Sequence, residues 1–324
     1  MDAEYPLVSM ASPPGSGAIE RPPRVSIGMP VFNGEPFIEQ AIDSILAQSF
    51  EAFELVVVDN HSTDRTYEIC QAYAARDPRV RCVRHRQNYG HVHNFNAAFR
   101  LSWGRYFKWA ACDDILAPDF LVRTVEVLDR DPSVVLAYPD MPKIDQHGRA
   151  VDVRYRGFDL EVLELTTSPD AAERFSATMH NFWYTDHLYG LIRSDALART
   201  RLHARHFIGD HILLAELSLY GRFRRVPEPL LFLRRHTGQT SKAPSARQRL
   251  TVVGGAPSGV TSGLAIAWQY PNRLYLHASA VQRAPLPRAT RVRCYLGLIR
   301  AMRRWAGIRL RQITAPRPHA RPSG

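Results

Sequence analysis

Two adjacent carboxylates, Asp113 and Asp114, interrupt an apolar stretch in the segment WAACDDILAPDF, which runs from Trp109 to Phe120. Repulsion between neighbouring carboxylates raises the pKa of one of them unless both share a cation. A hard divalent ion such as Mg²⁺ or Mn²⁺ is commonly held by one or two carboxylates together with phosphate oxygens. The pair therefore indicates a metal site for a phosphate-bearing ligand. Alternatively, one of these residues caps the helix predicted to begin near Pro118.

Short apolar runs rich in β-branched residues alternate with helical patterns over the first 120 residues. The predicted strands are Val25–Val31, FELVVVDN ending at Asp59, VRCVRH and RYFKWAAC. Apolar residues recur at helical spacing in FIEQAIDSIL, YEICQAYAAR and VHNFNAAFRLSW. This alternation predicts βαβ crossovers and a mostly parallel α/β sheet that is flanked by helices on both faces.

The predicted polar loops all follow strands, so the fold gathers them at one edge of the sheet, where ligands bind in open α/β sheets. These loops are residues 31–35, Asp59, residues 88–91 and the Asp113–Asp114 pair. A dinucleotide-binding fold carries GxGxxG after its first strand, whereas this chain reads PVFNGEP there, with a single glycine. The sequence therefore disfavours a nicotinamide-dependent enzyme.

The net positive charge of the chain comes from its C-terminal part. Of the 324 residues, 45% are hydrophobic, which is typical of a globular protein. Residues up to Glu228 carry 25 Lys and Arg against 31 Asp and Glu, whereas Pro229–Gly324 carries 17 bases and no acid. A basic block of this kind suits the phosphates of nucleic acid or of anionic lipid headgroups.

The cysteines and the N-terminus are those expected of a cytosolic protein. The four cysteines show no CxxC pair and no zinc-ligand spacing, so we expect reduced core residues. The N-terminus lacks a basic region followed by an apolar core, and no stretch reaches about 18 apolar residues. We therefore expect neither a signal peptide nor a membrane span, and we expect residues 1–23 to be disordered.

Five segments, in order, resemble family 2 glycosyltransferases of the GT-A fold over roughly residues 24–240. They are SIGMPVFNGEPFIEQAIDSIL, ELVVVDNHSTDRT, NYGHVHNFNAAF, YFKWAACDDILAPDFL and GDHILLAELSLYGRFRRVPEPLLFLRRH. The resemblance implies a Rossmann-like GT-A sheet and an inverting enzyme that moves a sugar from a nucleotide-diphosphate sugar to a hydroxyl. It also implies a GT-A domain at 24–245, with a nucleotide-sugar-binding half at 24–120 and an acceptor-binding half at 121–245. A basic helical extension and tail follow at 246–324.

The resemblance assigns the donor site to residues that follow the first three strands. The matching residues are Pro30, Val31, Asn33 and Glu35 against the nucleoside, Asp59 at the base, and Asn88, Gly90 and Asn96 near the donor. Many members carry a second Asp where this chain has Asn60, and an Arg where it has Phe95. Ser62 and Asp64 fit the rest of the base-binding motif, and they also suit the start of the next helix. The motif favours a pyrimidine base.

The resemblance also implies the catalytic and metal-binding residues, with Mn²⁺ or Mg²⁺ as the cofactor. Asp113 matches a position that commonly ligates the metal, and His236 matches a histidine near the metal or the diphosphate. Asp113 and its neighbour Asp114 are both expected to bind the nucleotide-sugar. Most relatives read Asp-x-Asp-Asp here, whereas this chain has Ala111 at the first acid. Asp210 matches the base that takes the acceptor hydroxyl's proton, with a helix N-cap as its alternative interpretation.

Two further segments concern the acceptor. The aromatic segment 178–197 is expected to bind it, with ordinary core packing as the alternative. Near the C-terminus, RVRCYLGLIRAMRRWAGIRLRQI places an apolar stripe beside arginines, which suits an anionic membrane and a lipid-linked or cell-envelope glycan acceptor. The alternative is a helix packed on the catalytic domain. The stripe comprises Tyr295, Leu298, Met302, Trp305 and Ile308.

Two other functions remain open at this point. A nucleic-acid-binding protein would use the basic C-terminus, but an acidic sheet edge repels phosphates unless a metal bridges them, so no nucleic acid is expected as partner. A glycosyltransferase-like protein without activity is the second, because Ala111 removes one acid. We expect an enzyme in the cytoplasm or at the inner face of the membrane.

Overall fold

The computed structural model describes residues 23–153, 159–181, 184–237 and 263–314, except for the side chains of 263–268, 270 and 306–314. The N-terminal segment up to residue 22, which was expected to be disordered, and the tail after residue 314 lie outside the described residues.

The described residues include eleven strands in two sheets. In chain order they are β1 (Val25–Val31), β2 (Phe53–Asp59), β3 (Val80–Arg84), β4 (Tyr106–Trp109), β5 (Ile115–Leu116), β6 (Val134–Asp140), β7 (Lys143–Asp145), β8 (Ala150–Val151), β9 (Leu191–Arg193), β10 (Arg222–Pro229) and β11 (Leu231–Arg235). The larger sheet has the order β10-β6-β9-β4-β1-β2-β3. Its neighbouring strands are parallel except at β9, which runs antiparallel to β4 and β6. The predicted α/β class and mostly parallel sheet are confirmed.

The two central strands explain why the first units were readable from sequence. Every residue of β1 and β2 is buried, because strands on both sides and helices on both faces cover them. Such strands appear as continuous apolar runs rather than as alternating patterns. β1 has the predicted bounds, and β2 ends at Asp59 as predicted.

Helices connect the strands and form the C-terminal part. They are α1 (Ile38–Leu46), α2 (Thr66–Arg76), α3 (His91–Arg100), α4 (Phe120–Arg130), α5 (Leu160–Glu164), α6 (Ala171–His180), α7 (Ser194–Ala198), α8 (Gly209–Leu217), α9 (Gly263–Arg283) and α10 (Arg288–Thr314). Helix α3 packs tightly across β1 and β4 because Gly28 has no side chain. A Cβ there would lie 2.8 Å from the Phe107 ring and 2.9 Å from Ala98 Cβ.

A second sheet of four short strands, in the order β5-β11-β7-β8, was not predicted. Its pairing of β11 with β5 is antiparallel and aligns Leu231 with Leu116 and Phe232 with Ile115. Two residues further along this register, Arg234 of β11 stands opposite Asp113, and its Nε donates to the Asp113 carbonyl at 2.8 Å. The small sheet therefore joins residues more than 100 positions apart at the edge of the larger sheet.

The C-terminal helices pack on the rest of the fold. α10 lies against α6, and α9 lies against α8 and α10, around a second hydrophobic cluster that includes Phe175, Met179 and Cys294. Leu298 is buried, and Tyr295, Met302 and Trp305 pack partly buried against this cluster. The stripe predicted to face a membrane is therefore used in internal packing; the side chain of Ile308 lies outside the described residues.

In the part of the chain that the structure describes, none of the helices combines the length and apolar character needed to cross a bilayer. The four cysteines are all free, and Cys70 and Cys294 are buried, as expected.

Candidate active site

The loop after β1 and the loop after β2 are joined by hydrogen bonds. The backbone N–H of Asn33 donates to Ser62 Oγ (2.9 Å), and that of Thr63 donates to Asn33 Oδ1 (2.9 Å). The backbone N–H of Arg65 donates to Glu35 Oε2 (2.9 Å). These contacts fix two of the loops that were predicted to face the nucleoside. Pro30 and Val31 precede the first loop as buried residues of β1.

Neither Ser62 nor Asp64 is the N-cap of α2, because Arg65 holds that position. Asp64 Oδ1 accepts from the backbone N–H of Thr66, the first residue of α2, at 3.0 Å, and its Oδ2 accepts from that of Glu35 at 3.2 Å. Like Ser62, Asp64 therefore joins the loop after β1 to the loop after β2.

Asp59 is fully buried at the end of β2 and is held from two sides. The backbone N–H of Ser62 lies 3.2 Å from both carboxylate oxygens, and Arg84 Nε lies 3.2 Å from Oδ2. The Arg84 guanidinium also lies over the Tyr67 ring, with its Cζ 4.4 Å from the ring centroid. Sequence reasoning missed Arg84 and Tyr67, although parallel pairing places Arg84, the last residue of β3, in register with Asp59.

The loop before α3 is braced against the end of β2. Asn60 Nδ2 donates to Asn88 Oδ1 (2.9 Å), and Asn60 Oδ1 accepts from the backbone N–H of Tyr89 (2.9 Å). Asn88 Oδ1 also accepts from the Gly90 N–H (2.8 Å), and Gly90 has φ +83°, which favours glycine. Asn60, at the position of a second acid in many relatives, therefore links the predicted donor residues Asn88 and Gly90 to the sheet.

Asp113 and Asp114 have different partners. The backbone N–H of Arg234 donates to Asp114 Oδ1 (2.9 Å), and His236 Nε2 lies 3.0 Å from Asp113 Oδ2. Burial and the charge of Asp113 raise the pKa of Asp114. Asp119 immediately precedes α4, so the interpretation of Asp113 or Asp114 as its cap is wrong. The structure gives Asp114 a structural contact; its contact with the donor stays a prediction.

Asp113 and His236 fit a divalent cation that is completed by a ligand. Their side chains are each 17% exposed, and together they offer a carboxylate oxygen and an imidazole nitrogen. Within the described ranges, no group of three or more His, Cys, Asp or Glu is placed to hold a metal. Divalent ions at phosphate sites commonly take only one or two protein ligands, and phosphate oxygens and water complete the shell. Ala111, at the position of the missing acid, is consistent with such a sparse site.

Asp210 lies in the first turn of α8, but it does not cap the helix. Its Oδ1 is 3.1 Å from His203 Nδ1, and its side chain is 42% exposed. Ile208 holds the N-cap position of α8, so the N-cap interpretation of Asp210 is wrong. Burial and the charges of Asp210, Asp114 and Asp113 raise the pKa of Tyr189, so this one hydroxyl lies within electrostatic reach of the predicted base and of the metal-site carboxylates.

Helix α9 holds the segment that leads to Asp210. His206 Nε2 donates to the backbone carbonyl of Gln269 (2.7 Å), and Arg201 Nη2 donates to Ser279 Oγ (2.6 Å). Arg283 forms an ion pair with the buried Glu216 of α8. The predicted base, Asp210, therefore lies on a part of the fold that α8 and α9 build together.

The predicted acceptor segment is partly core. His187 is 2% exposed and packs between the rings of Tyr138 and Tyr184, which favours the packing alternative for this residue. Residues 182 and 183 lie outside the described residues. In this segment Tyr189 is an aromatic residue whose hydroxyl pKa is raised by burial and by the charges of Asp210, Asp114 and Asp113.

Comparison with known proteins agrees with this architecture. Residues 26–202 match the family described as glycosyl transferase family 2. An uncharacterized glycosyltransferase of Rickettsia prowazekii is 31% identical over 146 residues, which are 43% of this chain and 45% of that protein; the match thus spans less than half of that relative. Staphylococcus aureus TarS 1–349 in complex with UDP-GlcNAc has a TM-score of 0.62 and 16% identity, and the match covers 90% of this chain and 76% of TarS 1–349. The mannosyltransferase PcManGT from Pyrobaculum calidifontis, in complex with GDP-Man and Mn²⁺, has a TM-score of 0.52 and 20% identity. The match covers 91% of this chain and 86% of the PcManGT chain. These two structures show that the fold is GT-A.

Proposed function

Because this chain belongs to glycosyl transferase family 2, we propose that it is a metal-dependent, inverting enzyme that transfers a sugar from a nucleotide-diphosphate sugar to a hydroxyl. The observation that carries the proposal is the contact between Asp113 Oδ2 and His236 Nε2, 3.0 Å apart. A cation site of two protein ligands suits a diphosphate, and it lies at the same sheet edge as the buried Asp59.

In this proposal the nucleoside binds against the two joined loops. Asp59 is a desolvated acceptor whose oxygens are oriented by Ser62 and Arg84, so it can accept a hydrogen bond from a base N–H. Pyrimidines such as uracil and thymine offer a ring N–H for this contact, and we propose a UDP- or dTDP-sugar as the donor. The UDP-GlcNAc complex of TarS supports a uridine donor by similarity only.

The transfer step needs a base on the face of the sugar opposite the leaving group. Asp210 takes the proton of the acceptor hydroxyl as the oxygen attacks the anomeric carbon, and the bond to the nucleoside diphosphate breaks, which inverts the configuration. Asp113 and His236 would hold the cation. When bound, it supplies positive charge that stabilises the departing diphosphate.

We also propose that the acceptor is a lipid-linked or cell-envelope glycan at a membrane surface. The predicted stripe of α10 is packed internally, but another row, Val292, Leu296 and Ile299, is 57%, 48% and 47% exposed. These residues are spaced to share one helix face, and Arg300 and Arg303 are exposed next to them. Apolar and basic side chains on one face suit an anionic bilayer. The division into halves at 24–120 and 121–245, with an extension at 246–324, remains part of the proposal.

The central test is calorimetric titration with UDP, dTDP and GDP, each with and without Mn²⁺. Wild type should bind one of them in a metal-dependent way, and Asp113→Ala should abolish the metal-dependent part. Asp119→Ala is the matched control, because this acid lies between β5 and α4, only six positions from Asp113, but accepts from Ser49 Oγ. If no nucleotide binds, or if both variants behave alike, the proposal is wrong.

The membrane part has its own test. Co-sedimentation with phosphatidylglycerol vesicles should exceed that with phosphatidylcholine vesicles, and Leu296→Glu should remove the difference. Tyr275→Ser, on α9 and 61% exposed, is the control. Equal binding to both vesicle types would contradict the membrane proposal without touching the transferase proposal.

A further inference from the structure

His203 lies beneath the predicted base, and neither its position in the sequence nor any motif drew attention to it. Its Nδ1 is 3.1 Å from Asp210 Oδ1, and its side chain is only 1% exposed. We propose that His203 is a positioning residue: it holds one oxygen of Asp210 so that the other oxygen is presented to the acceptor hydroxyl. This inference rests on the proposed function.

The backbone of His203 is held from the opposite side of the site. Its N–H donates to Asn96 Oδ1 (3.0 Å), and its carbonyl accepts from Asn96 Nδ2 (3.1 Å). The side-chain amide of Asn96 thus bonds both the N–H and the carbonyl of His203, as the backbone of a neighbouring β-strand would. Asn96 was predicted to lie near the donor; its amide instead ties α3 to the segment before the base.

The backbone next to His203 is strained. Leu202 has φ +60°, in the left-handed region, which costs a branched residue about 1 kcal/mol or more. Such a conformation persists where surrounding contacts determine it. Here the Asn96 pair and the burial of the ring provide them, and together they direct the imidazole towards Asp210.

The ring environment fixes the form of the imidazole. The ring meets Trp109 edge-on at a centroid distance of 4.8 Å and Phe95 at 5.0 Å. Nε2 is buried, and the described part of the chain offers it no hydrogen-bond partner. A second N–H at Nε2 would be buried without an acceptor, which is costly. Nδ1 therefore carries a proton and donates it to Asp210, because a carboxylate can only accept.

This form makes His203 an orienting donor and not a proton relay. Nδ1 already carries a proton, and Nε2 points into the aromatic cluster, so the proton taken from the acceptor stays on Asp210. A carboxylate that is free to rotate presents either oxygen. One whose Oδ1 is held by a fixed N–H presents Oδ2, and this ordering is in place before the acceptor binds.

The same hydrogen bond acts on the acidity of Asp210. Partial burial tends to raise the pKa of Asp210, but the hydrogen bond from His203 and the electrostatic effects of His203, His91 and His211 together lower it below the usual 3.8. His91, His211 and Tyr189 also face Asp210. Burial lowers the pKa of His91 to about 4 and that of His211 to about 3, so both are neutral near pH 7. Loss of the His203 donor should therefore move the acid limb of the rate profile to higher pH.

The test compares two replacements of one ring. His203→Phe keeps the aromatic packing without a donor, and His203→Asn keeps an N–H near the Nδ1 position. The rate is hydrolysis or transfer of whichever of UDP-GlcNAc, UDP-glucose, dTDP-glucose and GDP-mannose the wild type turns over. His277→Phe is the control, since this buried histidine has no hydrogen-bond partner among the described residues.

We expect His203→Phe to lower kcat about tenfold, the size of one lost hydrogen bond to a charged group, with the donor KM unchanged. Its acid limb should shift upward, and His203→Asn should recover part of both effects. In ¹⁵N NMR spectra, wild-type His203 should show the Nδ1–H form. A proton on Nε2, an active His203→Phe with a wild-type profile, or equal loss in the Phe and Asn variants at equal Tm would overturn the inference. A wild type that turns over no donor would overturn the proposed function and the positioning role with it.

Discussion

The ion pair between Arg283 and Glu216 tests whether α9 is an integral part of the catalytic fold. The Glu216 side chain is 1% exposed and that of Arg283 is 32% exposed. Glu216 Oε2 also accepts from the backbone N–H of Arg201 at 3.2 Å. Removing one partner of a fully buried pair costs about 3–5 kcal/mol, because the remaining charge stays desolvated. Since water reaches part of Arg283, we expect Arg283→Ala to lower the free energy of unfolding by about 2 kcal/mol.

Urea denaturation followed by tryptophan fluorescence measures this loss. Glu216→Gln in the Arg283→Ala background should recover about half of it, because a neutral amide leaves no unpaired charge. Arg130→Ala is the control, since its pair with Glu126 is exposed (76% and 36%) and should contribute about 0.5 kcal/mol or less. If Arg283→Ala is no worse than Arg130→Ala, or if the C-terminal helices unfold in a separate earlier transition, the reasoning is refuted.

Three further predictions concern the pocket, the core and pH. Arg84→Met should weaken UDP binding at least about tenfold in calorimetry, because the buried Asp59 loses its charged partner; unchanged affinity would contradict this role. Gly28→Ala should lower stability by about 1–3 kcal/mol, since its Cβ would lie 2.8 Å from Phe107, and an unchanged Tm would argue against the tight packing. Burial lowers the pKa of His187 to about 4, so its stabilising contribution is present above pH 6.5 and is lost as pH falls from 6.5 to 4. The loss should be of the order of 3 kcal/mol. His187→Phe should flatten that part of the stability profile, and an equal slope would contradict the assignment.

The strands that could be predicted are those whose surroundings are uniform. β1 and β2 are buried along their whole length, so their bounds follow from apolar runs ended by polar loops. β9 is only three residues long, Leu191–Arg193, and its place between β4 and β6 depends on partners far away in the chain. No local pattern distinguishes such a strand from a loop.

The site residues also divide into those that local sequence reveals and those that depend on distant parts of the chain. Asp59 ends β2 and Asp113 follows β4 by four residues, so both stand close to the strand ends that sequence reasoning could find. The contact of His236 with Asp113 was implied only by resemblance, because it depends on pairing between β11 and the two-residue β5. His203 gave no signal, since its role arises from a strained turn after Leu202 and from the amide of Asn96, more than 100 residues earlier.

The attachment of α9 to the segment before Asp210 has a consequence for biosynthesis. The predicted donor-site residues 30–90 are made early. The segment around Asp210 gains its contacts with Gln269, Ser279 and Arg283 only after nearly 200 more residues have been made. If Asp210 is the base, the last contacts that hold its segment therefore form only when synthesis of the chain is nearly complete.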